Sequence, residues 1–305
     1  MIAKVVAWRL IGAGLWGKLP AVEPRRRDAP IGQVMRFNFL RPKARPAADP
    51  VVVSTDGRVL YAVGDIHGHL DLLDDLLDII ARDFAQLRER EPGRKDRPVL
   101  VFVGDYIDRG PASRGVIERV LALKMLSDGG RGFEVRALMG NHEQTLLSFL
   151  DTSEAGTAWV EFGGGETLAS YDVVRPSGRG DADSWRDVQA QFQRNLPAAH
   201  LAFLRGLELS ARYGDYLFVH AGVRPGVPWD RQEPEDLLWI RNDFLSLPHR
   251  LGCVVVHGHT PDAEPFIGPD RINIDTGAYA TGVLTAVRLT ESPPVVLQAT
   301  KSRRV

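Results

Sequence analysis

The segment VLYAVGDIHGH, residues 59–69, contains a pattern that recurs along this 305-residue chain. Five residues that favour strands run into a glycine and then into Asp65 and His67, and apolar residues recur at helical spacing from Leu70 to Ile80. Strand, loop and helix therefore follow one another. The loop carries a carboxylate and an imidazole one residue apart, which suits a metal ion but is a weak signal by itself.

The same pattern returns at VLVFVGDYIDRG, residues 99–110, and at VRALMGNHE, residues 135–143. Each of these apolar runs ends in a glycine that is followed by aspartate or asparagine. In an open α/β sheet such loops meet at the carboxyl ends of the strands, where ligands bind. The loops offer oxygen and nitrogen donors with further charged side chains beside them, namely Asp65, His67, Asp105, Asp108, Arg109, Asn141 and His142.

These blocks closely resemble the signature blocks of the calcineurin-like metallophosphoesterases. The Asp108-Arg109 pair of the middle block resembles the bacterial phosphoprotein phosphatase branch of that family, and the resemblance extends from about Val59 to Leu289. It implies an α/β fold in which a two-sheet β-sandwich is flanked by helices. It also implies that the metal-binding loops gather at one edge of the sandwich.

Two further apolar strands are predicted in the second half of the chain, at YLFVHAG, residues 216–222, and at CVVVHGHT, residues 253–260. Each ends in histidine, and an imidazole at the end of a rigid strand is well placed to bind a transition metal. The resemblance implies that His220 and His259 complete the metal site, with His257 as the competitor of His259. The implied ligands are Asp65, His67, Asp105, Asn141, His220 and His259.

Two divalent ions are implied by the resemblance, with Asp105 as the ligand that they share. Mixed oxygen and nitrogen ligands without thiolate suit manganese, iron or zinc, and Mn²⁺ is the ion that we favour. In the resembling family the ions lower the pKa of a bridging water. The resulting hydroxide attacks phosphorus directly, without a covalent enzyme intermediate.

The leaving group needs a proton, and the phosphoryl oxygens need countercharge. His142 is the predicted general acid, with Asp108 orienting its ring, and Arg109 is a predicted phosphate ligand. The resemblance to bacterial members implies that Arg241, directly after the segment LLWI, is the second phosphate ligand. Arg224 is a weaker competitor for that role.

Other side chains of the same types receive structural interpretations. Asp275 either supports a ligand histidine or forms an ordinary turn before a Thr-Gly pair. His200 is predicted to pack within a helix and Cys253 within the core, and the glycines 163–165 are predicted to form a tight turn that lets helices approach. A solvated helix face is predicted for Asp71, Asp74, Asp75 and Asp78.

Charge and cysteine content exclude some partners. The formal net charge of −1 gives no overall attraction to nucleic acid, so no nucleic-acid partner is predicted. Cys253 is the one cysteine, which excludes an internal disulfide framework and fits a reducing compartment. A cytoplasmic location is therefore predicted.

The chain divides into two predicted parts. Residues 1–50 are a basic extension and linker, since they hold 10 Lys and Arg against 3 Asp and Glu. Packing of residues 1–19 on the domain is favoured over contact with a membrane surface, because tryptophans at helical spacing usually pack. Residues 51–305 form the catalytic domain. Within it, residues 151–213 are predicted to be a helical insertion that forms one wall of the cleft and governs substrate choice.

Three functions are compatible with these residues. The favoured one is hydrolysis of phosphoserine and phosphothreonine in phosphoproteins or phosphopeptides, extending to phosphotyrosine, because Asp108, Arg109 and Arg241 resemble the phosphatase branch. The first alternative is a hydrolase of dinucleoside polyphosphates such as diadenosine tetraphosphate, or of other nucleotides, since related bacterial enzymes share these blocks. The second is an inactive metal-containing binding module, which the retention of His142 with both arginines argues against.

Overall fold

The computed structural model describes residues 53–301. The predicted basic extension, residues 1–50, lies outside the described residues. Among residues 53–301, no helix is both long and apolar enough to cross a membrane.

The first sheet contains the strands that precede the three glycine-containing loops. These are β1 (Leu60–Val63), β2 (Val99–Phe102) and β3 (Glu134–Ala137), and the chain returns to the sheet at its end with β9 (Val283–Leu289) and β10 (Val295–Thr300). The strand order is β10-β9-β1-β2-β3. Because β1, β2 and β3 are parallel, their carboxyl ends lie at the same edge.

The second sheet is built from the second half of the chain. It comprises β4 (Ser210–Tyr213), β5 (Tyr216–Val219), β6 (Val254–His257), β7 (Phe266–Ile267) and β8 (Arg271–Asn273). The order is β4-β5-β6-β8-β7, in which β5, β6 and β8 run parallel. The strands that end near the predicted histidine ligands therefore also share one edge.

The two sheets pack face to face around a shared apolar layer. In β1, Leu60 and Ala62 join a cluster with Phe218 and Val256 of the second sheet. The alternate residues of β1, Tyr61 and Val63, pack on the other side against the helices. Successive side chains of a strand point to opposite faces, and both faces are covered. This is why β1 reads as an uninterrupted apolar run. The predicted two-sheet α/β fold is confirmed.

Helices flank the sandwich. The longest, Leu70–Arg90, buries one apolar face that includes Leu73, Leu77 and Ile80, as its spacing predicts. The remaining α-helices are Ser113–Asp128, Asn141–Asp151, Gly156–Trp159, Gly165–Ser170, Ala182–Asn195, Ala198–Arg205, Pro234–Trp239, Asn242–Ser246 and Ala278–Thr281. Short 3₁₀ turns span Ser153–Ala155 and Trp229–Arg231, and Val160–Gly164 joins two helices across a kink at Gly163.

The end of the helical insertion differs from the prediction. Residues 151–213 were assigned to it, but the last helix there ends at Arg205, and Ser210–Tyr213 is a strand. That strand pairs antiparallel with Tyr216–Val219, and Gly214 turns the chain between them with a φ of 54°. A two-residue turn with positive φ is typical of a hairpin. Residues 210–213 therefore belong to the second sheet.

Candidate active site

Strand ends from both sheets bring the six predicted metal ligands together. Asp65, Asp105 and Asn141 follow β1, β2 and β3, whereas His220 and His259 follow β5 and β6. All six side chains are buried: Asp65, His67, Asp105, Asn141, His220 and His259. His67, Asp105 and His259 have positive φ values of 46°, 53° and 65°. Such conformations are costly for residues with a Cβ and cluster at functional sites.

Asp105 lies at the centre of this arrangement. Its Oδ2 is 3.5 Å from Nε2 of His67, and its Oδ1 is 3.5 Å from Nε2 of His220. Two groups with ligand atoms within 4.8 Å of one another share it, one formed with His67 and His142 and the other with Asp65 and His220. A carboxylate between two groups of donors is suited to bridge two ions, as the sequence predicts for Asp105.

Asn141 and His259 join the second group. Oδ1 of Asn141 lies 2.8 Å from Nε2 of His220 and 2.8 Å from Nδ1 of His259. The backbone N–H of His259 donates to Oδ2 of Asp65 at 3.0 Å. The structure therefore places every predicted ligand within one polar cluster.

The chemistry of this cluster fits divalent cations. Burial raises the pKa of Asp65, and the negative charges of Asp275 and Asp105 raise it further. Buried like charges are unfavourable unless a cation neutralises them. Among the described residues, Oδ1 of Asp65 and Nε2 of His259 are buried without a hydrogen-bond partner. Each of these atoms has a lone pair that can coordinate a metal ion.

Burial favours the neutral form of these histidines. Burial lowers the pKa of His67 and of His220, and it lowers the pKa of His259 to about 2. Neutral imidazole is the ligating form. His67 donates from Nδ1 to the carbonyl of Ile107 at 2.9 Å, and His220 donates from Nδ1 to that of Val103 at 2.9 Å. These bonds leave each Nε2 facing Asp105.

Glu143 is a structural member of the site that the sequence interpretation missed. It is fully buried, and its carboxylate accepts the backbone N–H groups of Gly140 and Asp105 on Oε2 and of Tyr106 and Ile107 on Oε1, at 2.9 to 3.3 Å. Glu143 thus ties the loop after β2 to the loop after β3. The signal was present in the sequence, because a glutamate at the third position of a helix often accepts the N–H of the residue before the helix, as Glu143 does from Gly140.

The predicted acid and phosphate ligands lie beside the metal ligands. His142 donates from Nδ1 to Oδ2 of Asp108 at 2.6 Å, which directs Nε2 toward the site. Nη2 of Arg109 is 3.2 Å from that Nε2, and its guanidinium lies 4.3 Å above the ring of Tyr279. Arg241 donates from Nη1 to the carbonyl of His259 at 3.2 Å.

Charge also favours His142 as a proton donor. Burial lowers its pKa, but the carboxylates of Asp105 and Asp108 outweigh burial and raise the pKa above the usual value for histidine. His142 also belongs geometrically to one of the two groups of donors. Its role as acid rather than ligand rests on the bond to Asp108 and stays a prediction.

The competing candidates lie differently. His257 is buried with its ring against Phe244 and its Nε2 3.5 Å from Nη1 of Arg271. Arg224 donates from Nε to Asp236 at 2.7 Å. Asp275 accepts the N–H of Gly277 at 2.9 Å, so it forms the expected turn. It also lies beside Asp65, and burial raises its pKa to about 6.

Comparisons with known proteins agree with this geometry. Residues 59–286 match the model of the calcineurin-like phosphoesterase family. The asymmetrical bis(5′-nucleosyl)-tetraphosphatase PrpE of Bacillus velezensis is 27% identical over 252 residues, covering 78% of this chain and 91% of that protein. The Bacillus thuringiensis protein of the same name is 28% identical over 247 residues, covering 76% of this chain and 91% of that one.

The fold has a counterpart among solved structures. A crystal structure of a protein assigned as a diadenosine tetraphosphatase superimposes with a TM-score of 0.51 and 20% identity, covering 84% of this chain and all of that one. At this identity the likeness concerns the fold alone. The family match spans most of the chain and includes all six predicted ligands, and the chain therefore belongs to the calcineurin-like family of metal-dependent phosphoesterases.

Proposed function

We propose that this chain hydrolyses dinucleoside tetraphosphates asymmetrically, which is the first alternative of the sequence interpretation rather than its favoured function. The observation that supports phosphoester chemistry is the convergence of the six proposed ligands in one cluster with Asp105 at its centre, beside a proposed acid and two arginines. The choice of substrate is supported by the Bacillus relatives, which align over 91% of their own length and are named for this activity.

The residues that would hold the metal ions are Asp65, His67, Asp105, Asn141, His220 and His259. When bound, divalent ions there supply Lewis acidity toward the phosphoryl oxygens and toward a water molecule. Carboxylates, an amide oxygen and neutral imidazoles suit Mn²⁺, and iron or zinc also accept this set. Asp105, which faces both groups of donors, is the ligand proposed for both ions.

Arg109 and Arg241 are proposed to bind the polyphosphate. The two guanidinium groups approach the metal ligands from different loops, one 3.2 Å from His142 and the other 3.2 Å from the carbonyl of His259. A planar guanidinium forms two parallel charge-assisted hydrogen bonds to a phosphate. Two such groups would hold a chain of several negatively charged phosphates and orient the scissile one.

His142 is proposed to donate a proton from Nε2 to the leaving oxygen. Its Nδ1 is bound to Asp108 at 2.6 Å, so the ring presents Nε2 to the site. The leaving group of a dinucleoside tetraphosphate is a nucleotide phosphate, which departs as a stable anion. Proton donation by His142 should therefore matter less for this substrate than for an alkyl phosphate ester.

Hydrolysis of phosphoserine and phosphothreonine, extending to phosphotyrosine, is the second candidate. It is favoured by the same bond between His142 and Asp108, because the alkoxide released from a phosphorylated serine needs a proton. A phosphopeptide would use the same metal ligands and arginines. The names of the relatives support the dinucleoside substrate over this one.

Side-by-side assays separate these functions. The chain is incubated with Mn²⁺ and with diadenosine tetraphosphate, a phosphoserine peptide or p-nitrophenyl phosphate, and the nucleotides are separated by anion-exchange chromatography. We expect the highest kcat/KM on diadenosine tetraphosphate, with ATP and AMP released in equal amounts. Release of ADP alone would exclude asymmetrical cleavage. A higher kcat/KM on the peptide would favour the second candidate, and hydrolysis of none would leave an inactive binding module.

A further inference from the structure

Three residues of the helical insertion contact the loop that carries Asp108, which orients the proposed acid, and Arg109, a proposed phosphate ligand. Trp159, Gly163 and Thr167 recur every four positions and reach Asp108 or Arg109. We infer that they form a positioning face, which holds Asp108 against His142 and holds Arg109 at the phosphate position. This inference rests on the proposed phosphoester hydrolysis and assigns the insertion a role beyond that of a cleft wall.

Hydrogen bonds from the positioning face and from His142 occupy both oxygens of the Asp108 carboxylate. Oδ2 accepts Nδ1–H of His142 at 2.6 Å and Nε1–H of Trp159 at 2.9 Å, and Oδ1 accepts the hydroxyl of Thr167 at 2.6 Å. Asp108, Trp159 and Thr167 are all fully buried. The carboxylate cannot rotate without losing one of these bonds inside the protein, where an unpaired polar group is costly. The ring of His142 is thereby fixed.

The same face supports the backbone of the loop. Asp108 and Arg109 have φ values of 71° and 66°, a left-handed conformation that residues with a Cβ rarely adopt. The N–H of Asp108 donates to Oγ1 of Thr167 at 2.9 Å and to Oγ of Ser113 at 3.1 Å. The N–H of Arg109 donates to the carbonyl of Gly163 at 3.0 Å. The insertion therefore binds the N–H groups that this turn directs away from its own strand.

Close approach explains the glycine at position 163. It has a φ of 108° at the kink between the helices Gly156–Trp159 and Gly165–Ser170, and a Cβ there would lie 2.7 Å from Cγ and 2.8 Å from the backbone nitrogen of Arg109. A positive φ favours glycine, and the close approach leaves no room for a side chain. The sequence interpretation predicted that glycines 163–165 let helices approach closely. In the structure Gly163 instead approaches the loop that carries Arg109.

Arg109 is held from the other side by Tyr279. Its guanidinium lies 4.3 Å above the Tyr279 ring, which in turn meets His67 edge-on with ring centroids 5.3 Å apart. Arg109 thus lies between Gly163 of the insertion and the short helix Ala278–Thr281, which carries Tyr279. Gly163 holds the backbone of Arg109 and Tyr279 restrains its guanidinium, so the residue is pre-organised before a phosphate binds.

Isosteric substitutions test whether these hydrogen bonds position the acid or only stabilise the fold. Thr167→Val removes the hydroxyl, Trp159→Phe removes the N–H and retains an aromatic ring, and Thr167→Ser restores the donor. Tyr171→Phe is the matched control, since the buried Tyr171 hydroxyl in the same insertion is 2.9 Å from Nδ1 of His200 and away from the site. Each protein is assayed with Mn²⁺ on phenyl phosphate and on p-nitrophenyl phosphate.

The two esters have similar shapes but differ in how much the leaving group needs a proton. We expect Thr167→Val and Trp159→Phe to lower kcat on phenyl phosphate roughly tenfold or more while kcat on p-nitrophenyl phosphate falls about threefold or less. Thr167→Ser and Tyr171→Phe should leave the ratio of the two rates unchanged. A ratio that stays constant in Thr167→Val and Trp159→Phe would overturn the inference.

Amide hydrogen exchange supplies a second readout that needs no substrate. We expect the backbone amides of Asp108 and Arg109 to exchange faster in Thr167→Val and to exchange as in the wild type in Tyr171→Phe. Should Thr167→Val fail to fold, Trp159→Phe decides the outcome through the rate ratio. Wild-type protein that hydrolyses no phosphoester contradicts the proposed function, whereas unchanged exchange at Asp108 and Arg109 in Thr167→Val contradicts the positioning face.

Discussion

The backbone N–H of His259 donates to Oδ2 of Asp65 at 3.0 Å, although the two residues lie 194 positions apart in the chain. The bond joins the loop after β6 in the second sheet to the loop after β1 in the first. The sheets are therefore connected by polar contacts at the candidate site as well as by the apolar layer between them. Residues that are proposed to hold metal ions here therefore also connect the two halves of the sandwich.

Removal of the proposed acid should affect substrates unequally. Replacement of His142 by Asn should lower kcat on alkyl phosphate esters about 100-fold or more, a typical loss for a general acid. The loss on p-nitrophenyl phosphate should be much smaller, because its leaving group scarcely needs protonation. Steady-state rates on both esters provide the comparison. Equal losses on the two would remove the acid role from His142.

Loss of Arg241, the second proposed phosphate ligand, should weaken binding of the polyphosphate substrate. Arg241→Ala removes a charged donor, and charge-assisted hydrogen bonds contribute about 1.5–3 kcal/mol each, so KM for diadenosine tetraphosphate should rise about tenfold to 100-fold. Arg224→Ala is the matched control, because Arg224 is bound to Asp236 at 2.7 Å. If Arg224→Ala raises KM as much as Arg241→Ala does, then the assignment of Arg241 is wrong.

Glu143 should contribute strongly to stability. In Glu143→Gln one carboxylate oxygen becomes an amide NH₂, which faces two backbone N–H groups that the oxygen formerly accepted. The free energy of unfolding should fall by about 2–4 kcal/mol, the size expected for buried donors left unpaired. Urea unfolding without added metal measures it. The control is Glu118→Gln, which affects a surface pair with Arg114, and a similar small change in both variants would contradict the role of Glu143.

Asp74 should make stability depend on pH. It was predicted to be solvated but is partly buried, and burial raises its pKa from 3.8 to about 6, although Arg119 at 3.1 Å lowers it. Because the folded state binds this proton more tightly than the unfolded state, the contribution of Asp74 to stability is greatest below the unfolded pKa and is lost as pH rises through the folded pKa. The stability of the wild type relative to Asp74→Asn should therefore fall between pH 4 and pH 7. Urea unfolding across that range measures the difference, which should be flat if the pKa is ordinary.

The proposed ligands could be selected from the sequence because metal chemistry demands particular residues at strand ends, and their assignment as ligands stays a prediction. Asp65, Asp105 and Asn141 each follow an apolar run and a glycine. The fold brings the ends of these three strands together at one edge of the sheet. The choice of His259 over His257 rested on resemblance. In the structure His257 is the last residue of β6 and packs on Phe244, while His259 lies in the loop beyond it.

The supports of the site were not predictable in the same way. Trp159 and Thr167 form hydrogen bonds with Asp108 although they lie 51 and 59 positions from it in the chain. The sequence of their own segment indicates only helix packing. Their roles depend on how the insertion lies against the loop after β2, which local periodicity does not encode. The strand at residues 210–213 was missed for a related reason, since its assignment depends on pairing with β5 rather than on its own four residues.

Metal binding tests the central claim most directly. The protein is stripped with a chelator, dialysed and titrated with Mn²⁺ in an isothermal calorimeter, beside an Asp105→Asn variant that alters the ligand shared by both groups of donors. We predict two ions for each wild-type chain and a large loss of affinity in the variant, because one carboxylate contributes to both positions. A wild-type chain that binds no ion, or an Asp105→Asn variant that binds ions as the wild type does, would contradict the account.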